Sequence, residues 1–572
     1  MIPINRTYAP IQAFVDELVR CGMTHAVTCP GSRNAPLSLT LAGQEGLRAI
    51  SVLDERSAGY VALGVAKATA RPVALTCTSG TAAANLLPAI VEAHEARVPL
   101  VVMTADRPPE LRDTGAGQAI DQIKLYGSVA KWFVEVGNHE PGRATAVHHR
   151  ALACRAYFTA AGGRPGPVHL NFPLREPLDP EPEELEAGDW EGRPGERPWL
   201  EVREVPYAPD ATLVQELIAA VVDAPRGAIV CGMTSEDLTA PAARLAEATG
   251  WPLLAEPTSG ARCGRHDRSH VVSHYDALLR GERFASEHAA DLVIRVGDTP
   301  TSKPLRGWLE RSRQVVIDPH ATWHEPTRTA ERIVVASATA TCDALAAALP
   351  AMDRDDGWLA SWREADALVP PALEAAADPF EPKFYAALGP VLEDGDVVWL
   401  SSSMPVRDVE TFFPSIEAEV RFLANRGANG IDGVASSALG AALASEGRCF
   451  LLTGELALLH DLSGLTGLTR QGVELTIVCV NNAGGGIFDF LPVAESAERA
   501  LYEHHIATPS GIDFARVAEL AGLRHVVVVD PEELRVAARA PALIEAFTDR
   551  AANVREHRNV FGNVEGALEA RG

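Results

Sequence analysis

The chain has 572 residues, of which 47% are apolar and 22% are charged, a composition typical of a large globular protein with roughly three domains. Its net charge of −25 disfavours a nucleic-acid partner, because neutralising phosphates requires a basic surface. No apolar run reaches the roughly 18 to 20 residues that cross a bilayer, and charges interrupt the apolar pattern of the amino terminus, which therefore does not resemble a signal peptide. We expect a cytoplasmic protein without a membrane partner.

Nine cysteines are scattered along the chain and never form a CxxC pair. Several lie in apolar runs, where a free cysteine behaves as a small hydrophobic residue. The spacing indicates neither a disulfide framework nor a zinc site. If the substrates are anions, a chain this acidic must bind them through a few local arginines and lysines.

The first third of the chain alternates apolar strands with helical patterns. The strand HAVTC runs into the turn PGSRNAP, which would present Ser32 and Arg33, and the strand ISVL leads to Glu55 and a helix rich in Ala and Gly. PVALTC and VPLVVMTA are further strands, and the loop DRPPELRDTGAGQAIDQ follows them. This alternation predicts a parallel sheet with right-handed crossovers, whose ligand sites lie at the carboxyl ends of the strands.

The middle of the chain predicts a second, smaller α/β domain. A Pro-, Glu- and Gly-rich run from Glu176 to Pro209 is predicted to be an interdomain linker. The segments GAIVCG, WPLLAE, ADLVIRVG and RQVVIDP then predict four strands, without a GxGxxG or GxxxxGK[ST] motif for a separate nucleotide site. A second acidic and Pro-rich stretch, from about Met352 to Lys383, leads into the last domain. We expect domains at 1–180, 205–350 and 375–572.

The last third carries two polar blocks that each follow a buried strand. GELALLHDL begins at 454 and NNAGGGIF begins at 481, so that Asn482 follows Glu455 by 27 residues. A carboxylate, an amide oxygen and glycine carbonyls form an all-oxygen set suited to Mg²⁺ or Mn²⁺, which completes its shell with phosphate oxygens and water. The pair favours a metal-bound diphosphate, although each block alone also fits an acidic helix start or a Gly-rich turn.

Other segments of the last third repeat the pattern of the first third. DVVWLSSS is a predicted strand, MPVRDVETFF begins a helix that carries Arg407, and RFLANRG is a predicted strand that ends at Arg426. The segment DGVASSALGAALASEGRCFLLTGELA then echoes SAGYVALGVAKATARPVALTCTSGTA. Both contain a small-residue helix, a polar turn, a buried strand and a functional turn, which suggests two domains of one topology.

The paired blocks resemble the diphosphate and metal motif of thiamin diphosphate enzymes, except that Glu455 replaces the usual Asp. Six segments between about Thr7 and Phe514 are similar, more specifically, to the 2-succinyl-5-enolpyruvyl-6-hydroxy-3-cyclohexene-1-carboxylate synthase family of menaquinone biosynthesis. They are PGSRNAPL, LDERSAGYVALGVAKAT, TSGTAAANLLPAIVEA, TADRPPELRDTGAGQAIDQ, NRGANGIDG and NNAGGGIFDFLP.

The resemblance implies three α/β domains with central parallel sheets, namely a pyrimidine, a central and a diphosphate domain. It implies a transferase that uses thiamin diphosphate with Mg²⁺ or Mn²⁺. The enzyme would decarboxylate 2-oxoglutarate and add the resulting succinyl carbanion to isochorismate in a 1,4-addition, with release of CO₂. It would be a homodimer or homotetramer with active sites between subunits.

The resemblance also implies residue roles. A carboxylate at a strand end is usually solvated or caps the next helix, but the resemblance implies that Glu55 would hydrogen-bond the aminopyrimidine and favour its imino tautomer. Ile431 would lie as an apolar wedge beneath the thiazolium ring. The implied catalytic residues are Glu55, Gln118, Ser32 and Arg33. Substrate would be bound by Arg33, Arg107, Lys303, Ser403, Arg407 and Arg426. The cofactor would be bound by Glu55, Ile431, Gly454, Glu455, Leu456, Asn482, Gly485 and Ile487, and the metal by Glu455, Asn482 and Gly484.

Two alternatives stay open at the level of sequence. Another thiamin diphosphate carboligase or decarboxylase, similar to acetolactate synthase, would share Glu55, Glu455 and Asn482 but would not need the cationic set. The second alternative is a binding protein that keeps the cofactor-binding fold but catalyses no reaction. Glu455 in place of the usual Asp is the feature that favours this alternative.

Overall fold

The structure is a computed structural model that describes residues 5–352 and 356–571. Residues 1–4 of the first predicted domain, 353–355 of the second acidic stretch and 572 at the end of the third predicted domain lie outside the described residues. The described chain forms three parallel sheets with interleaved helices, which confirms the predicted α/β class. In these ranges no helix combines the length and the apolar character that a membrane crossing requires.

The chain divides into two compact units. Unit 1 comprises Met1–Glu204, Asn425–Ser445 and His460–Glu474, and unit 2 comprises Val205–Ala424, Glu446–Leu459 and Leu475–Gly572. Two short segments of the last third therefore belong to the same unit as the first third of the chain.

The first sheet contains six strands, which are β1 (His25–Thr28), β2 (Arg48–Ser51), β3 (Val73–Cys77), β4 (Leu100–Asp106), β5 (Trp132–Glu135) and β6 (Val168–Pro173). The helices between them are α1 (Tyr8–Arg20), α2 (Ala35–Gly43), α3 (Glu55–Thr69), α4 (Thr81–Asn85), α5 (Leu87–Glu95) and α6 (Arg143–Ala161). The strand order is β2-β1-β3-β4-β6-β5. Every residue of β3, β4 and β6 is buried, as expected of a parallel sheet covered on both faces.

The sequence pattern did not predict β5 and β6. Strand β5 is a half-exposed edge strand. Strand β6 carries the polar residues His169 and Asn171, which are buried because both hydrogen-bond the Thr104 hydroxyl at 2.8 Å. Buried polar side chains inside a strand interrupt the apolar run that would have identified it.

The second sheet contains five strands, which are β7 (Gly227–Cys231), β8 (Leu253–Ala255), β9 (Leu292–Val296), β10 (Gln314–Ile317) and β11 (Ala330–Val334). The associated helices are α7 (Ala211–Val222), α8 (Thr239–Thr249), α9 (Tyr275–Leu278), α10 (Glu282–Glu287), α11 (Lys303–Leu309), α12 (Ala338–Ala348), α13 (Asp356–Asp366) and α14 (Val369–Glu374). The strand order is β11-β10-β9-β7-β8. The four predicted strands are confirmed, and β11 was missed because it is an edge strand that exposes Glu331 and Arg332.

The third sheet contains six strands, which are β12 (Val397–Leu400), β13 (Arg421–Ala424), β14 (Cys449–Gly454), β15 (Thr476–Asn481), β16 (His525–Val528) and β17 (Leu543–Phe547). The helices of this part are α15 (Glu381–Ala386), α16 (Met404–Phe412), α17 (Val434–Ala444), α18 (Glu455–His460), α19 (Leu462–Gln471), α20 (Val493–Ser496), α21 (Arg499–Tyr502), α22 (Phe514–Ala521), α23 (Pro531–Ala537) and α24 (Arg550–Glu569). The predicted end of a strand at Arg426 is wrong, because β13 ends at Ala424.

The first and third sheets have the same topology. The order of the third sheet is β13-β12-β14-β15-β17-β16, and numbering its strands from one gives the order of the first sheet. This identity confirms the expectation that the two repeated sequence patterns specify one topology. Helix α3 joins the second and third strands of one sheet, and α17 joins the second and third strands of the other.

These two equivalent helices pack against each other within unit 1. A Cβ on Gly64 would lie 2.0 Å from the Ser437 carbonyl oxygen, and a Cβ on Gly440 would lie 2.2 Å from the Val61 carbonyl oxygen. Backbone atoms cannot rotate aside as a flexible side chain can. The contact between α3 and α17 therefore requires glycine at both positions.

The first part of the predicted linker lies on unit 1. Residues 189–202, here called the strap, form no strand or α-helix. Arginines of α1 and α6 donate to strap carbonyl groups, with Arg20 bound to Arg193 O at 2.9 Å and Arg150 bound to Trp190 O at 2.7 Å. The strap is thus held on the surface of these two helices.

We expect Gly440→Ala to destabilise the protein, because the added methyl group would overlap the Val61 carbonyl, and overpacking of this kind costs about 1 to 3 kcal/mol. The matched control is Gly562→Ala in α24, where an added Cβ would meet nothing within 4 Å. There alanine should be neutral or stabilising by roughly 0.5 to 1 kcal/mol. The denaturant midpoint of each variant checks this, and an unchanged midpoint for Gly440→Ala would contradict the close packing of α3 and α17.

Candidate active site

In unit 1, two turns meet at the carboxyl ends of the neighbouring strands β1 and β3. A Cβ on Gly31 would lie 2.4 Å from the Cβ of Thr78, so only glycine allows the turns to touch. Ser32 is exposed at this turn. The Arg33 side chain is 12% exposed, donates to the Leu174 carbonyl at 2.7 Å and lies 3.4 Å from Glu176 Oε1.

Arg107 and Gln118 join this group through Ser79. The Arg107 guanidinium donates to the Ser79 hydroxyl, which in turn donates to the Gln118 carbonyl at 3.0 Å. The Gln118 amide donates to the Ser79 carbonyl at 3.1 Å. Burial, and then the charge of Arg33, lower the pKa of Arg107. The nearby carboxylates of Asp106 and Glu176 partly offset this effect. Two neighbouring guanidinium groups at the carboxyl ends of these strands could bind a carboxylate ligand.

Glu55 is the first residue of α3. The helix is capped by Asp54, whose carboxylate accepts from Ser57 N at 3.0 Å, so the capping alternative for Glu55 does not apply. Glu55 is half-buried, and burial raises the pKa of its carboxyl group, with a smaller contribution from the charge of Asp54. This carboxyl group holds a proton more firmly than a solvated one.

The glycine loop, residues 426–433, contains Arg426 and Ile431. Its first half is fixed by Glu92 of α5, whose carboxylate accepts from Gly427 N at 2.9 Å and from Ala428 N at 2.6 Å. Glu92 is 2% exposed, and Lys67 lies 3.8 Å from it. A buried acceptor thus binds two consecutive backbone amides just after Arg426.

The second half of the glycine loop is fixed by Tyr60 of α3. The Tyr60 hydroxyl donates to the Asp432 carboxylate, and a Cβ on Gly433 would lie 1.9 Å from the Tyr60 ring. Gly433 has a φ of +66°, which favours glycine on conformational grounds as well. Tyr60 and Glu92 also line a cavity of about 290 Å³ against this loop. Asp432, which directly follows Ile431, is thus fixed by the Tyr60 hydroxyl, and the Ile431 side chain stays partly exposed.

In unit 2, Glu455 follows β14 directly and begins α18. Its side chain is buried, and its carboxylate accepts from Gly484 N in the glycine-rich turn after β15. Burial raises the pKa of Glu455 to about 7, partly offset by the backbone amides of Gly484 and Asn482. Strands β14 and β15 are neighbours in the sheet, which is why two motifs so far apart in sequence meet here.

Asn482 is oriented by Glu381, the first residue of α15. Asn482 Nδ2 donates to Glu381 Oε1 at 2.8 Å, and the Thr548 hydroxyl donates to the same oxygen at 3.0 Å. Burial raises the pKa of Glu381 to about 7, but both donors meet Oε1, so this oxygen accepts whether or not a proton resides on Oε2. Asn482 Oδ1 is left buried without a hydrogen-bond partner.

The unpartnered Oδ1 of Asn482 and the buried carboxylate of Glu455 are suitable ligands for a hard divalent cation. Oxygen ligands at neighbouring strand ends are what Mg²⁺ and Mn²⁺ prefer. The close approach depends on Gly486, where a Cβ would lie 2.5 Å from Asn482 Nδ2. Gly484 has a φ of +144°, and a Cβ there would lie 2.7 Å from the Ala507 carbonyl. This donor set can therefore hold the predicted metal.

The two cationic residues of unit 2 that were predicted to bind substrate lie in the first turns of two helices. Ser403 precedes α16 with a φ of +77°, and Arg407 donates to its carbonyl group. Lys303 is the exposed first residue of α11. Asp276 links the two helices, since it accepts from Ser302 Oγ at 2.6 Å and from Thr411 Oγ1 at 2.9 Å.

The structure separates the predicted residues into two groups. Unit 1 holds Ser32, Arg33, Glu55, Arg107, Gln118, Arg426 and Ile431. Unit 2 holds Lys303, Ser403, Arg407, Gly454, Glu455, Leu456, Asn482, Gly484, Gly485 and Ile487. Sequence reasoning missed Tyr60 and Glu92, which lie inside ordinary helical patterns, and Glu381, which lies in the acidic and Pro-rich stretch before the last domain. The only sequence signal was an acidic residue within an apolar segment, as for Glu92 in LPAIVEAHE.

Family comparisons find three domains of thiamine pyrophosphate enzymes along the chain. Residues 11–125 match the N-terminal TPP binding domain of thiamine pyrophosphate enzymes, 186–375 match the middle domain, and 410–551 match the C-terminal TPP binding domain. The first cofactor-binding match contains strands β1 to β4 and Glu55, and the second contains strands β13 to β17 with Glu455 and Asn482.

Curated relatives match along almost the whole chain. A 2-succinyl-5-enolpyruvyl-6-hydroxy-3-cyclohexene-1-carboxylate synthase of Geobacillus kaustophilus is 43% identical over 96% of this chain and 97% of its own length. The synthase of Myxococcus xanthus is 42% identical over 97% of each chain, and that of Natronomonas pharaonis is 43% identical over 89% of each. The chain belongs to the 2-succinyl-5-enolpyruvyl-6-hydroxy-3-cyclohexene-1-carboxylate synthase family of thiamin diphosphate enzymes.

Proposed function

We propose that this protein catalyses the reaction of its family in menaquinone biosynthesis. It decarboxylates 2-oxoglutarate and adds the four-carbon succinyl unit to isochorismate in a 1,4-addition, giving 2-succinyl-5-enolpyruvyl-6-hydroxy-3-cyclohexene-1-carboxylate and CO₂. The observation that carries this proposal is 43% identity over 96% of the chain to a synthase of that name. Thiamin diphosphate, when bound, supplies the electron sink for the charge left by decarboxylation.

The residues that we propose as ligands of the divalent ion all lie in unit 2. Glu455 provides a carboxylate, Asn482 provides its unpartnered Oδ1, and Gly484 provides a backbone carbonyl, for Mg²⁺ or Mn²⁺. Glu381 supports this role, because an acceptor on one side of the Asn482 amide turns the amide oxygen to the other side. The ion would hold the diphosphate group of the cofactor.

Glu55 is proposed as the acid/base partner of the cofactor ring. Its half-buried carboxyl group, with a raised pKa, can share a proton with a ring nitrogen and so favour the imino tautomer. Ile431 is proposed to support the bent cofactor from the glycine loop. Gln118 and Ser32 are proposed to orient substrate by uncharged hydrogen bonds.

The cationic residues are proposed to bind the substrate carboxylates. Arg33 and Arg107 repel each other within unit 1, and a carboxylate between them would relieve that repulsion. Arg407, Arg426 and Lys303, with Ser403, complete the set. We further propose a cytoplasmic homodimer or homotetramer with active sites between subunits, as the family resemblance implies.

Arg407→Ala tests the function together with the role of the cation. The wild-type protein with thiamin diphosphate and Mg²⁺ should form product only when 2-oxoglutarate and isochorismate are both present. In Arg407→Ala the KM for a dicarboxylate substrate should rise at least about 10-fold, the effect of losing a hydrogen bond to a charged group. Arg516→Ala, whose side chain is 85% exposed, is the control. Loss of cofactor affinity alone would show that Arg407 is misassigned.

Glu55→Gln tests the acid/base role. Exchange of the C2 proton of bound thiamin diphosphate, followed by NMR, should slow at least about 10²-fold. Because burial raises the pKa of Glu55, its charged form costs folding stability above the normal titration range, and the neutral glutamine removes that cost. The apo variant should therefore melt no lower than the wild type. Glu45→Gln, an exposed carboxylate of the same unit, is the control, and unchanged exchange in Glu55→Gln would refute the role.

Glu381→Gln tests the orientation of the metal ligand. A glutamine amide can donate or accept, so Asn482 would no longer be held with Oδ1 toward the metal, and Mn²⁺ affinity should fall about 10- to 100-fold. Mn²⁺ binding followed by electron paramagnetic resonance measures this directly. Thr548→Val, which removes the other hydrogen bond to Glu381, should change the affinity far less. Equal affinities of Glu381→Gln and wild type would contradict the positioning role, whereas an unaffected Asn482→Ala would contradict the metal site itself.

A further inference from the structure

A pair of thiols lies in unit 1, apart from all residues assigned to catalysis. Cys21 caps the end of α1 and Cys154 lies in α6, 133 residues later, yet their Sγ atoms are 3.6 Å apart. Cys21 is partly exposed, whereas Cys154 is buried. The scattered cysteines of the sequence gave no reason to pair these two.

The strap covers the thiol pair. Leu200 N donates to Cys154 Sγ at 3.3 Å, and Trp199 N donates to the carboxylate of Glu17. Cys154 Sγ lies 3.5 Å from Glu17 Oε1, to which it can donate its proton. A cavity of about 540 Å³ is lined by Cys154 and Arg155 of α6 and by Leu200 of the strap, among others.

The charges around the pair favour thiol chemistry over a bound cation. Ligand atoms of Glu17, Cys21 and Cys154 lie within 4.8 Å of one another, a spacing that a metal ion could also use. However, Glu17 is fully buried against the Arg150 guanidinium at 2.8 Å, so its charge is already compensated. A cation would have to compete with this buried arginine.

The two sulfurs are not equivalent. The Cys21 thiol donates toward Cys154, and together with the Leu200 amide it lowers the pKa of Cys154, while the pKa of Cys21 is raised. Cys154 Sγ accepts two hydrogen bonds, from the Cys21 thiol and from the Leu200 amide, and these contacts favour a thiolate at Cys154, the nucleophilic form of cysteine.

We propose that Cys21 and Cys154 form a redox modification site, which a hydroperoxide converts to a disulfide. The Cys154 sulfur attacks a peroxide oxygen, so that an S–O bond forms, the O–O bond breaks, and water or an alcohol leaves. The Cys21 sulfur then attacks the Cys154 sulfur, and the departing hydroxide takes the Cys21 proton as water. Two thiols are oxidised by two electrons in all, and one hydroperoxide is reduced.

The disulfide would join the end of α1 to α6 beneath the strap. Closing a loop of 133 residues removes conformational freedom from the unfolded chain more than from the folded one. Oxidation should therefore raise the melting temperature of the protein. Neither cysteine is among the residues assigned to catalysis, so turnover at moderate temperature should persist.

The test uses the full-length wild-type protein treated with hydrogen peroxide. Of nine cysteines, two should be lost to a thiol reagent under denaturing conditions, with a mass decrease of about 2 Da that dithiothreitol reverses. Peptide mapping should identify a cross-link between Cys21 and Cys154, and the melting temperature should rise. Cys21→Ala and Cys154→Ala should each abolish the cross-link. Cys263→Ala, at a buried thiol of unit 2, should retain it.

Several results would overturn the proposal. Full retention of nine thiols under peroxide that oxidises free dithiothreitol would do so, as would addition of oxygen to Cys154 without cross-linking, or a cross-link to another cysteine. Stoichiometric zinc in the purified wild-type protein that is lost in Cys21→Ala would also overturn it, in favour of a metal site. The wild-type measurement does not depend on the folding of any variant.

Discussion

The backbone contact between α3 and α17 is the constraint on which the position of the proposed catalytic residues in unit 1 depends. Glycines at 64 and 440 let each helix touch a carbonyl group of the other. Glu55 begins α3, and the glycine loop with Ile431 leads into α17. One interface therefore fixes the starts of both helices, and with them two residues that are 376 positions apart in sequence but are proposed to act on the same cofactor ring. A side chain in this interface would displace both.

Buried carboxylates are the second organising element. An ionised carboxylate only accepts hydrogen bonds, so each one fixes the direction of the groups around it. Glu92 accepts hydrogen bonds from two backbone amides of the glycine loop, and Glu455 accepts one from the backbone amide of Gly484. Glu381 accepts one from the side-chain amide of Asn482 and so orients that side chain. Each of these glutamates joins segments that are distant in the chain. In a protein with a net charge of −25, part of the acidic content thus positions backbone and ligand groups instead of covering the surface.

Sequence analysis predicted the residues that lie in motifs at strand ends, because an apolar strand followed by a Gly-rich polar turn can be recognised from the sequence alone. Glu55, Glu455 and Asn482 are of this kind. Tyr60, Glu92 and Glu381 could not be predicted, because their roles come from tertiary contacts with residues 101 to 372 positions away in the chain. Strand β6 was missed for a related reason, since the partner that permits its buried polar residues, Thr104, lies on another strand.

The division into units shows the limit of sequence order as a guide to structure. The segments 425–445 and 460–474 belong to unit 1, although the strands that flank them in sequence form the third sheet in unit 2. Small residues in α17 allow this. They let α17 approach α3 more closely than a helix with larger side chains could. Arg426 and Ile431 are thus grouped with Glu55, while Glu455 remains with Asn482. The alternation of strand and helix predicts the sheets, but the choice of packing partner for each helix follows from side-chain size, which a hydrophobic pattern does not encode.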